Sequence, residues 1–150
     1  MYEFLLFTHS WLRWIILILA LVTIIMGLTG MSGKPFGKAQ NGLSAAFIGS
    51  MHLQLLIGLI LYFIYSPLGL DAFSSGANVM KEASLRYWAV EHISIMIIAV
   101  VVAQIGRIKI KKGTTDKSKY KAMLIYNLIA LILILSRIPW DQAGRMFRGL

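Results

Sequence analysis

Trp14-Ile15-Ile16-Leu17-Ile18-Leu19-Ala20-Leu21-Val22-Thr23-Ile24-Ile25-Met26-Gly27-Leu28 carries no charged side chain, and Thr23 is its one hydroxyl. Extended back to Phe4, the run exceeds the ~20 predominantly apolar residues that a spanning helix needs. It has no period-2 alternation and is too long for a buried strand. Three further stretches of this kind follow, at about Leu43 to Tyr65, Tyr87 to Ile105 and Ala122 to Ile138. The expected fold is all-α, a four-transmembrane-helix up-down bundle with helices about 4–28, 43–65, 87–105 and 122–138. The whole of 1–150 then forms a single integral membrane domain, and the lipid bilayer is its first partner. A mean hydropathy of +0.74, with 58% hydrophobic and 14% charged residues, lies outside the range of water-soluble domains. Glu3 and the lack of a basic residue ahead of the first stretch argue against a cleavable signal peptide.

The segments between the spans are turn-like. Gly30, Ser32, Gly33, Pro35 and Gly37 break the chain after the first, and Gly113-Thr114-Thr115-Asp116 separates the third from the fourth. Ser66-Pro67 ends the second, because the residue before a proline is pushed out of the helical region. Pro139 ends the fourth. Part of the longer connection, Pro67 to Arg86, is expected on the membrane surface.

A net charge of +9 would suit nucleic acid, but its distribution argues for a membrane and no nucleic acid. Lys34, Lys38, Arg107, Lys109, Lys111, Lys112, Lys117, Lys119 and Lys121 all fall in the connections after helices one and three, opposed only by Asp116. At the other side, Lys81, Arg86, Arg145 and Arg148 are offset by Glu3, Asp71, Glu82 and Asp141. The positive-inside rule then places both termini on the non-cytoplasmic side. In a bacterium the expected location is the inner (cytoplasmic) membrane, as a multi-pass protein. Trp11, Trp14, Trp88 and Trp140 lie near the non-cytoplasmic ends of their helices. There they either sit at the headgroup level with wet indole N–H groups or wall a pocket.

Ionisable and polar residues inside a span are costly, so each is a functional candidate. They are His9, Arg13, His52, Gln54, Glu91, His92, Gln104, Asn127 and Arg137. The chain has three histidines, and all three fall inside spans. A b-type haem is held by two imidazoles, usually from different helices of a bundle. With no cysteine in the chain, such a haem b would be non-covalent. At ~1.5 Å per residue, His9 and His92 each sit ~9 Å below the outer ends of helices one and three. Those helices are diagonal neighbours in a simple up-down bundle. His52, ~20 Å from the outer end by the same rise, lies nearer the midplane. Depth favours His9 with His92 as iron ligands, while helix tilt would let His52 replace one of them.

Arg13, four residues after His9, shares its helical face and is placed to pair with a haem propionate, as is Arg86 at the start of helix three. Met96, four after His92, either packs on the ring or simply fills the core. Glu91 either orients an imidazole, relays protons or pairs with Arg13 or Arg137. The competing account of the histidines is interhelical hydrogen bonding.

The run His52-Leu53-Gln54-Leu55-Leu56-Ile57-Gly58-Leu59, the ending Ser66-Pro67, the stretch Leu85-Arg86-Tyr87-Trp88-Ala89-Val90-Glu91-His92 and the tail Ile138-Pro139-Trp140 carry a resemblance. Together with Thr8-His9-Ser10-Trp11-Leu12-Arg13-Trp14, they resemble a family of small four-helix membrane proteins of Bacteroidetes-type bacteria known as "cytochrome b". The resemblance covers nearly the whole chain. It implies haem b held by some pair among His9, His52 and His92.

The expected function is that of a membrane-embedded b-type cytochrome passing single electrons, as a subunit of a larger respiratory or other membrane complex rather than a stand-alone enzyme. A quinone or another membrane protein subunit would be its electron partner. Two alternatives use the same residues: a cofactor-free structural or assembly subunit, and a proton or ion pathway through Glu91, His92, His52 and Arg13.

Overall fold

The computed structural model describes residues 1–149. Those residues form helices α1 (Tyr2–Gly30), α2 (Lys38–Ile60), α3 (Ala83–Arg86), α4 (Ile93–Lys112), α5 (Asp116–Ser136) and α6 (Ala143–Met146). A wide π turn, Tyr87–His92, joins α3 to α4 without a break, and a second, Leu61–Tyr65, continues α2. Four helical units, Tyr2–Gly30, Lys38–Ser74, Ala83–Lys112 and Asp116–Ser136, are long and apolar enough to cross a membrane.

Large apolar side chains lie on the outside of the bundle as well as in its core. Ile15, Ile18, Leu21, Ile25, Leu53, Leu56, Val101, Ile105, Leu128 and Ile132 face outward. Ser10, Thr23, Ser44 and Asn127 are buried inside. An apolar surface of this extent has no favourable contact with water, but lipid tails match it.

The first helix packs on the second and fourth spans, and the third span packs on the same two. Helices one and three are therefore diagonal, with a core of Ile16, Ala20, Phe47, Met51, Ala99, Ala103, Ala130 and Ile134 between the four. Small residues let α5 close in. A side chain at Gly27 would meet the Leu124 main chain at 2.8 Å, and one at Gly30 would collide with the Tyr120 ring. In a membrane such close approach replaces the hydrophobic drive that helices lack there. Asn127 Nδ2 donates to Thr23 Oγ1 at 2.8 Å, a buried bond between α5 and α1.

Several boundaries differ from those expected. The third unit begins at Ala83 rather than Tyr87, because Glu82 in an extended conformation starts it. The fourth begins at Asp116, where Thr115 Oγ1 accepts the Ser118 N–H and Ser118 Oγ accepts the Thr115 N–H. It stops at Ser136, two residues before Ile138. Ser66 is extended (φ −92°, ψ 125°) ahead of Pro67, the geometry its position requires.

The two chain ends meet at one end of the bundle. Arg148 Nη1 lies 2.8 Å from Glu3 Oε2, and the segment around α6 folds back across the start of α1.

Candidate functional site

A cavity opens between the four helices at the end where the termini meet. It runs inward from Tyr2 and Arg148 to Ile16, Val100 and Ile134. His9 and His92, from the diagonal helices, both line it, and so do Arg13 and Met96. Its wall is mostly apolar, and among the described residues its ionisable groups are these two imidazoles, the guanidinium groups of Arg13, Arg145 and Arg148, and the Tyr2 and Tyr62 phenols.

His92 is held by the end of the fourth span. Pro139 has no N–H to continue that helix, and Arg137 leaves the helical conformation (φ −130°, ψ 21°). Its carbonyl, released from the helical ladder, accepts the Tyr87 hydroxyl at 2.7 Å and His92 Nδ1 at 2.9 Å. A carbonyl only accepts, so Nδ1 carries a proton, and in the neutral ring Nε2 then keeps its lone pair. Trp88 flanks the imidazole, with ring centroids 5.3 Å apart. The π turn that ends at His92 adds a residue to the helix, and such turns recur at functional sites. The Ala89 carbonyl within it accepts the Tyr62 hydroxyl at 2.8 Å, tying the two π turns together.

His9 is held from α2. Gln54 Nε2 donates to the His9 main-chain carbonyl at 2.8 Å. A Cβ at Gly58 would stand 3.2 Å from His9 Cε1 and 3.8 Å from Nδ1, so the missing side chain makes room for the ring. His9 Nδ1 itself is buried without a hydrogen-bond partner among the described residues.

The C-terminal segment closes the outer wall. Arg13 Nη2 donates to the carbonyls of Met146 and Arg145 at 2.8 and 3.1 Å. The Trp11 and Trp14 indoles donate to the carbonyls of Arg148 and Met146 at 2.9 and 3.0 Å. These two indoles thus hold the tail rather than facing headgroups. The Arg145 guanidinium lies over the Trp88 ring at 4.5 Å. Sequence reasoning treated Arg145 and Arg148 only as charge at the chain end. The available signal was their spacing, two arginines three apart just beyond Pro139-Trp140 and on the same side as His9.

Other expected site residues lie elsewhere. His52 is exposed on the outer face of α2, beside the outward-facing Leu53 and Leu56, and is not part of the cavity wall. Arg86 Nε binds Glu91 Oε1 at 3.0 Å and its Nη1 donates to the Met80 carbonyl, away from the cavity. Glu91 is thereby tied to Arg86 and, at 3.8 Å, to Arg137; it does not orient an imidazole. His92 and Arg13 line the cavity, and Glu91 and His52 do not.

Two imidazoles, a largely apolar wall and three guanidinium groups share this cavity. Among the described residues no group of three or more His, Asp or Glu could hold an ion. A haem asks for two opposed imidazoles with free Nε2 atoms, an apolar slot and cations for its carboxylates. No family model, curated protein or solved structure matches the chain.

Proposed function

We propose that the chain is a membrane-embedded b-type cytochrome that passes single electrons, and that His9 and His92 are the residues that would hold one non-covalent haem b. The observation that carries this reading is the convergence of these two histidines, from diagonal helices, on one cavity from which His52 is excluded. The haem, when bound, supplies a one-electron couple inside the low-dielectric bundle.

The chain's own residues do the rest. The Arg137 carbonyl fixes the His92 tautomer, and Gly58 admits the His9 ring. Met96 and the surrounding aliphatic side chains keep water from the slot. Arg13, Arg145 and Arg148 offer positive charge to carboxylates at the outer rim. Arg86 is not assigned that role, since it does not line the cavity.

The nine basic residues in the connections after helices one and three support a reading in which both termini are non-cytoplasmic in a bacterial inner membrane. The cavity then opens toward the outer surface, which suits a quinone or a second membrane subunit as electron partner. The outward imidazole of His52 supports the subunit role, because a polar group facing lipid near the midplane is costly unless a neighbouring helix covers it.

The absorption spectrum of the detergent-purified protein tests the proposal. Protein from a haem-replete host should show a sharp visible band on reduction, and acid acetone should extract the haem. Intact protein without visible absorption would refute it.

A further inference from the structure

Four buried polar atoms have no hydrogen-bond partner among the described residues: His9 Nδ1, Gln54 Oε1, Arg13 Nε and Arg137 Nε. The first two belong to residues already bonded across α1 and α2, through the Gln54 side chain and the His9 main chain. Gln54 Nε2 donates to the His9 carbonyl at 2.8 Å, and since a carbonyl only accepts, this fixes which end of the amide is nitrogen. The amide oxygen is left buried, an acceptor with no donor. Gly58, one turn beyond Gln54 on the same helix face, abuts the Cε1–Nδ1 edge of the His9 ring. The Cε1–Nδ1 edge of His9 therefore faces α2 at Gly58, one turn from Gln54.

We propose that Gln54 is the positioning residue for His9: its side-chain oxygen accepts the His9 Nδ1–H, directly or through one buried water, and leaves Nε2 bare toward the cavity. Pairing the two orphan atoms relieves both at once. It also makes the site symmetric, since the Arg137 carbonyl already holds His92 as the Nδ1–H tautomer. Ligating histidines commonly donate their other ring N–H in this way, which fixes the ring and raises its basicity. The inference rests on the reading of the cavity as a haem site for its purpose, but the tautomer itself belongs to the haem-free chain. Arg13 Nε also lacks a partner among the described residues, so the outcome must be read on His9.

The test is the 15N NMR spectrum of histidine-labelled, haem-free protein in lipid nanodiscs, with His52→Gln and His92→Gln variants assigning the signals. In the wild type, neutral His9 should be protonated on Nδ1. Gln54→Met removes the acceptor at similar volume and should lower the Nδ1–H to Nε2–H ratio about three- to tenfold, the equilibrium worth of one net hydrogen bond. Gln54→Glu loses the donor to the His9 carbonyl but keeps an acceptor, and should retain the wild-type tautomer. A merely structural Gln54 would give the same ratio in all three proteins. That result, or His9 protonated on Nε2 in the wild type, overturns the inference. Circular dichroism identifies any variant that has not folded, and Gln54→Ala then replaces Gln54→Met. Because these signals come from haem-free protein, failure here is separate from failure of the haem reading, which the absorption spectrum decides.

Discussion

The main-chain carbonyl of Arg137 stands 2.9 Å from Nδ1 of His92, so the end of the fourth span sets the tautomer of an imidazole on the third. The bond exists because the helix stops where it does. Had α5 continued through Pro139, this carbonyl would have faced along the helix axis instead of toward His92. The Arg137 side chain is not part of the bond, so replacing it should leave His92 in the same form.

Gly58 should be intolerant of bulk. Alanine would press on His9 at 3.2 Å, and Gly58→Val would displace the ring. Overpacking of this kind costs about 1–3 kcal/mol. Gly58→Val should lose low-spin haem, while Gly42→Val, on an open surface of the same helix, should keep it. Haem-to-protein ratios from absorption spectra of the purified variants check this.

Arg145 should tune the haem more than Arg86 or Arg148 does, because Glu3 already pairs with Arg148 at 2.8 Å. Arg145→Gln removes a cation from the cavity rim, and a nearby cation favours the reduced, more electron-rich state. Redox titration should show a low-spin spectrum retained and a potential lowered by ~60 mV, equivalent to ~1.4 kcal/mol for one electron. Arg86→Gln should shift the potential less, because Glu91 already neutralises that cation.

Asn127→Leu should destabilise the bundle without touching the cavity. It removes the buried bond to Thr23, and bonds of this kind in membrane helices contribute about 1 kcal/mol. Unfolding in denaturing detergent should occur earlier, with the spectrum of the folded fraction unchanged.

Orientation is tested by thiol labelling of intact cells. Ser118→Cys, between the basic connections, should resist a membrane-impermeant reagent, and Ser74→Cys, in the opposite connection, should react. The reverse pattern would contradict the orientation.

The four spans were legible because hydropathy records the apolar outer surface directly. Their ends were less so. Glu82 and Arg86 dilute the start of the third unit, yet Ala83 already begins the helix because polar groups are tolerated at headgroup depth. The convergence of His9 and His92 followed from depth and helix order. The outward direction of His52 was readable only from its neighbours Leu53 and Leu56. Nothing in hydropathy marks a π turn, so the local geometry at His92 was invisible. The tail's role escaped because Trp11 and Trp14 were read as meeting lipid or a pocket, whereas their N–H groups bind main-chain carbonyls more than 130 residues away.

The reduced-minus-oxidised spectra of the three single histidine variants, recorded side by side, test the central assignment most directly. His9→Ala and His92→Ala each remove one axial bond and should abolish the low-spin signal, whereas His52→Ala, altered on the outer face of α2, should keep it. Loss of haem in His52→Ala with retention in His9→Ala or His92→Ala would contradict the assignment and place the iron outside this cavity.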